Sequence, residues 1–157
     1  ILKALANLDA KILSNFHLTI VGEGPEYLPF KQLASDLNID KNVRFVGNKE
    51  QNEVFKLLNK SSVFILMSNS EGLPLSILEA LRFGLPIITT NVDGCPETVT
   101  NSNGYVIKPD FSELTHILKN INNDELKIMS KNSRELFEKD YKFDSFLKNY
   151  IKLMIGV

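Results

Sequence analysis

Residues 68–99 read SNSEGLPLSILEALRFGLPIITTNVDGCPETV, and the rest of the chain is read outward from them. Two carboxylates, Glu71 and Glu79, lie in this stretch with seven residues between them. On a single helix the eight steps from one to the other would leave them roughly 80° apart. Gly72 and Pro74 argue instead that Glu71 belongs to a loop and that a helix starts after it, the apolar run 75–83 carrying Glu79. Pro74 suits the first helical position, where its missing N–H costs little. The order is therefore loop carboxylate, helix start, helix carboxylate.

Such a start suits an anion. The amides of Leu75 and Ser76 precede any intrahelical partner, and unpaired donors at the positive end of a helix hold phosphate. Glu71 and Glu79, acceptors only when ionised, take hydrogen bonds from hydroxyl groups. A diphosphate flanked by two polyol rings meets all of these groups at once, and a nucleotide sugar is such a molecule.

Outward from this centre, strands and helices alternate. Residues 63–67, VFILM, are wholly apolar, as a central parallel strand covered on both faces should be. Upstream, 17–21 and 43–47 read as strands and 26–37 and 50–59 as helices, while Leu2, Leu5, Leu8, Ile12 and Leu13 recur at the spacing of one helix. Downstream, Gly84 sits where a helix end favours a left-handed residue. Residues 86–90 and 104–107 then read as strands, 96–99 as a short helix, and 111–121, 124–139 and 144–155 as three closing helices. This alternation implies βαβ units. The expected fold is α/β, a Rossmann-like parallel sheet with helices on both faces, and a single domain over residues 1–157. Ligands of such sheets lie at the carboxyl ends of the strands, where the loops 22–25, 47–49, 68–74 and 91–95 gather glycines, among them Gly22, Gly24, Gly47 and Gly72.

Composition narrows the function. Eighteen basic residues stand against 19 acidic ones, and no basic face carries interleaved aromatics, which argues against nucleic acid as a partner. The single cysteine, Cys95, leaves no internal disulfide and suits a reducing compartment, so a soluble cytoplasmic domain is expected. No apolar stretch approaches the roughly 20 residues of a membrane span. Ile1 opens inside an apolar-periodic run, so the chain is expected to be a piece of a longer one.

Taken in order, GEGPE at 22–26, VRFVG at 43–47, SNSEGLPLSILEAL at 68–81, GLPII at 84–88, DGCPETV at 93–99 and NGYVIKP at 103–109 resemble the C-terminal, donor-binding domain of retaining glycosyltransferases of the GT-B fold, family 4, also called group 1. The resemblance covers most of the chain, and the paired glutamates with their flanks are its most specific part. It implies the C-terminal half of a GT-B fold and a hexosyltransferase that moves a sugar from a UDP- or GDP-sugar to a glycan or lipid-linked acceptor. It implies no cofactor and no metal. Its partners are the nucleotide-sugar donor and an N-terminal acceptor domain of the same enzyme, against which the helix within 141–157 would pack. Polysaccharide biosynthesis in the cytoplasm follows, with peripheral contact to the inner face of the membrane through parts outside this chain.

The resemblance also carries roles. It implies Glu71 as the catalytic group, accepting from donor-sugar hydroxyls, and Glu79 as the ribose ligand. The amides of Gly72 and Leu73 would reach the sugar and those of Leu75 and Ser76 the diphosphate, with Gly47, Asn48 and Lys49 beside the base. Two departures stand out. Leu73-Pro74 occupies the place where the family often has Phe-Gly, which removes one amide that could face the phosphates, and the family's Arg and Lys that neutralise the diphosphate normally lie upstream of the opening helix.

Other readings stay open. A nucleotide-sugar 2-epimerase-like isomerase shares the architecture but needs acid/base groups in the cleft, and His17 and His116 fall outside the predicted ligand loops. A non-catalytic nucleotide-binding module has no use for paired glutamates around a helix start. Gly22 and Gly24 serve a tight turn as readily as ligand approach. Lys49 reads more readily as a solvated charge than as a base contact, Glu97 as a carboxylate favoured by a helix dipole, and Cys95 as a buried thiol.

Overall fold

The computed structural model describes residues 1–145. In chain order it contains α1 (Leu2–Ala6), α2 (Ala10–Leu13), β1 (Leu18–Ile20), α3 (Tyr27–Asp36), β2 (Val43–Phe45), α4 (Gln51–Leu58), β3 (Phe64–Leu66), α5 (Leu75–Arg82), β4 (Ile87–Thr90), α6 (Cys95–Thr98), β5 (Gly104–Ile107), α7 (Phe111–Asn120) and α8 (Asn123–Leu136). The helix expected over 144–155 lies, from residue 146 on, outside the described residues. The described residues fold as two compact units, Ile1–Leu57 with Asp110–Ile121, and Leu58–Pro109 with residues 122–145.

In the first unit β1 and β2 run parallel, from Leu18 opposite Val43 to Ile20 opposite Phe45. Leu2, Ala4 and Leu5 of α1 are buried, as are Leu114, Ile117 and Leu118 of α7. The Thr115 hydroxyl donates to the Ala4 carbonyl at 3.2 Å. α3 ends on Asn38, whose φ of 57° lets its amide donate to Ser35 and the next amide, that of Ile39, reach back to Ala34. The single opening helix expected from the leucine spacing is instead broken in two. Asn7 turns both its main-chain N–H and its side-chain amide onto the Lys3 carbonyl, and Asp9 takes extended backbone before α2. Short polar side chains that bond nearby backbone compete with helix continuation.

In the second unit β3, β4 and β5 form a parallel sheet in that order. β4 is its centre and all four of its residues are buried. The run at 63–67 was expected to be fully covered, but β3 pairs only with β4 in this sheet and is half-buried throughout. An apolar run measures hydrophobicity and not place in the sheet. Ile77, Ala80 and Leu81 of α5 are fully buried, as are Ile87 and Ile88 of β4; each fully buried Ile or Leu stabilises by about 2 kcal/mol. α5 closes on Gly84, at φ 68°, with Gly84 N–H donating to Leu81 and Leu85 N–H to Ala80. The buried Ser133 hydroxyl of α8 donates to the Leu85 carbonyl at 2.8 Å, fixing α8 beside that turn.

Candidate functional site

The start of α5 departs by one residue from the expected geometry. Pro74 is the cap, with φ −73° and ψ 104°, and Leu75 is the first helical residue. A proline's fixed φ is compatible with a cap residue of extended ψ. The first helical hydrogen bonds run from Ile77 and Leu78 N–H to the Pro74 carbonyl, at 3.0 and 3.4 Å. The amides of Leu75 and Ser76 therefore lie ahead of the helix ladder, and the missing proline N–H subtracts nothing from that pair. Glu79 stands three residues beyond Ser76 and four beyond Leu75, on the same face. That face is exposed or half-buried, while Ile77, Ala80 and Leu81 are sealed in the core.

The loop between β3 and α5 is stapled to the one that follows β4. The Thr90 hydroxyl, on buried β4, donates to the Ser68 carbonyl at 2.6 Å and accepts from the Ser68 N–H at 3.1 Å. The Ser68 hydroxyl donates to Glu71 Oε1 at 2.5 Å. Asp93 Oδ2 accepts the Glu71 main-chain N–H at 2.8 Å and the Ser70 hydroxyl at 2.9 Å. These two bonds, the main-chain one first, hold the Asp93 carboxyl below its ordinary range. Gly94 completes the contact, because a Cβ there would stand 2.3 Å from the Gly72 carbonyl oxygen. Half-buried Glu71 is thus held at its main chain and at one carboxylate oxygen; Gly72, Leu73 and Leu75 beside it are exposed. Ser68, Ser70, Thr90 and Asp93 were not singled out from the sequence. Asp93-Gly94 is legible there as a turn, but its acceptor role depends on β3 and β4 lying side by side.

The first unit joins its own pair of carboxyl-end loops. Gly22, at φ 114°, donates its N–H to the Gly47 carbonyl at 2.8 Å, and Asn48 Oδ1 accepts the Glu23 N–H at 3.1 Å. Gly47, at φ 67°, has the Glu23 carboxylate where a Cβ would go. Gly24 has open space around it, and Lys49 pairs with Glu53 at 3.8 Å. Gly22, Gly47 and Asn48 are thereby brought together. Lys49 is exposed beside them.

His17 and His116 are exposed, Cys95 is fully buried, and the main-chain carbonyl of Glu97 accepts the Tyr141 hydroxyl at 3.2 Å. Two surface concavities, of about 610 and 300 Å³, lie in the first unit, around Leu28 and Gln32 and around His17 and Arg44. Neither includes a sequence-predicted site residue. Among the described residues no helix is long and apolar enough to cross a membrane.

Residues 1–136 match the family described as glycosyl transferases group 1. The chain is 33% identical over 147 residues to an uncharacterized glycosyltransferase of Haemophilus influenzae, covering 90% of this chain and 40% of that protein. It is 34% identical over 131 residues to UDP-Gal:alpha-D-GlcNAc-diphosphoundecaprenol alpha-1,3-galactosyltransferase of Escherichia coli, covering 81% of this chain and 33% of that one. The crystal structure of WaaG, a glycosyltransferase involved in lipopolysaccharide biosynthesis, matches with a TM-score of 0.80 at 25% identity, over 99% of this chain and 42% of that one. The chain spans less than half the length of each of these three proteins.

Proposed function

The chain belongs to the glycosyl transferases of group 1 and has the α/β architecture of their GT-B fold, and on that premise we propose that it is the donor-binding part of an enzyme that transfers a sugar from a nucleoside-diphosphate sugar, with retention, to a glycan or lipid-linked acceptor. The observation that carries the reading is the start of α5, where two amides ahead of the helix ladder sit beside a fixed carboxylate, Glu71, and share a face with a second, Glu79. The amides of Leu75 and Ser76 take the diphosphate, whose negative charge grows as it leaves, so donors aimed at it favour the transition state over the ground state. Glu71 accepts from the sugar hydroxyls and orients the ring. Glu79 accepts from the ribose. A UDP-sugar donor and a lipid-linked acceptor are supported by the name of the Escherichia coli relative.

Calorimetry or ligand-observed NMR with UDP, GDP and their sugars tests this on the 157-residue chain. One nucleotide series is expected to bind at about millimolar or tighter. Glu79→Ala should weaken that series about tenfold, the loss of hydrogen bonds to a charged acceptor. Absence of binding by both UDP and GDP at millimolar concentration would overturn the assignment.

A further inference from the structure

Asp93 adopts φ 40°, the left-handed region that glycine enters freely and that other residues enter at a cost. What the aspartate adds over a glycine is its carboxylate. One oxygen of it, Oδ2, accepts both the Glu71 N–H and the Ser70 hydroxyl. Fixing the Glu71 N–H fixes the main chain from which its side chain springs, while Ser68 holds the far end of that side chain. Gly94 lets the two loops approach until main chain meets main chain.

We propose that Asp93 is a positioning residue for Glu71, its carboxylate anchoring the Glu71 main chain so that the Glu71 side chain is presented in one orientation to the donor sugar. The inference rests on the donor reading of the site and extends it from residues that touch the ligand to one that acts through another. Asp93 reaches the sugar only through Glu71, and the diphosphate is held elsewhere, by the amides of α5. Loss of the anchor should therefore be felt by a sugar-bearing donor and not by the bare nucleoside diphosphate.

Two variants that both tolerate left-handed backbone make the test, so that folding does not confound it. Asp93→Gly removes the acceptor. Asp93→Asn keeps an oxygen able to accept both hydrogen bonds. Amide hydrogen exchange at Glu71 in the free chain should speed up in Asp93→Gly by about tenfold, the worth of one hydrogen bond of ordinary strength, and stay within about twofold in Asp93→Asn. By calorimetry with UDP- and GDP-sugars beside UDP and GDP, Asp93→Gly should weaken the sugar donor about three- to tenfold and leave the bare diphosphate within about twofold, with Asp93→Asn close to wild type on both. Equal weakening of donor and diphosphate, wild-type donor affinity in Asp93→Gly, or an Asp93→Asn variant as impaired as Asp93→Gly would each overturn the proposal. A wild-type chain that takes up none of the nucleotides overturns the donor reading and with it the positioning role. The exchange rates then stand by themselves, an acceleration in Asp93→Gly upholding the anchor and an unchanged rate overturning it.

Discussion

Hydrogen bonding sorts the two carboxylates that meet at the Glu71 loop. Asp93 accepts from a main-chain N–H and a hydroxyl and is held ionised, whereas Glu71 accepts from Ser68 through Oε1 alone and keeps Oε2 without a partner among the described residues. Elsewhere one side chain sets a pH limit. Burial, and then the Glu125 carboxylate that accepts its hydroxyl, push Tyr105 up to about 12 from its ordinary 10.0. A raised value means that the fold favours the protonated form, so the stabilisation is complete below pH 10 and is lost as pH rises from there towards about 12. Tyr105→Phe should remove this alkaline loss, so that a plot of Tm against pH falls less steeply between about 10 and 12 than in the wild type. The placement of Glu71 in a loop and of Glu79 on the helix after it was legible because Gly72, Pro74 and the apolar run between them are local signals. The positions of Asp93 and Thr90 were not, since each bonds a residue 22 positions away and only the neighbouring of two strands brings them there.

At the scale of elements, helix ends carry definable stability. Asn122 caps α8 by accepting from the Asp124 and Glu125 amides at 3.1 and 3.0 Å. Asn122→Ala should cost about 1 kcal/mol, read as a lowered denaturant midpoint at unchanged slope. The sequence located nearly every strand and helix, because hydrophobic period and Gly or Pro punctuation act within a few residues. It joined α1 to α2, where leucines at helical spacing hid the bond of the Asn7 side chain to the Lys3 carbonyl and the extended backbone at Asp9. It also read β3 as covered on both faces. Burial of a strand depends on what lies beside it, which composition does not encode.

For the molecule as a whole, the α/β class followed from strands alternating with helices, but the division into two units did not. α7 belongs with the first unit through contacts such as Thr115 with Ala4, 111 residues apart, while β3, β4 and β5, which precede it in the chain, build the second. Transfer requires an acceptor held against the donor sugar, and the resemblance assigns that task, with the diphosphate-neutralising cations, to chain outside these residues. The 157-residue chain should thus bind donor and release no nucleotide above background with added acceptor, where a complete enzyme turns over about 1 to 1,000 times per second. Coupled detection of UDP or GDP checks this. The contact of Gly94 with the Gly72 carbonyl bears on how such a chain can diversify. A Cβ at position 94 would strike that carbonyl oxygen, so any larger residue there requires the main chain at Gly72 to shift with it, and a change in one loop is passed directly to the other.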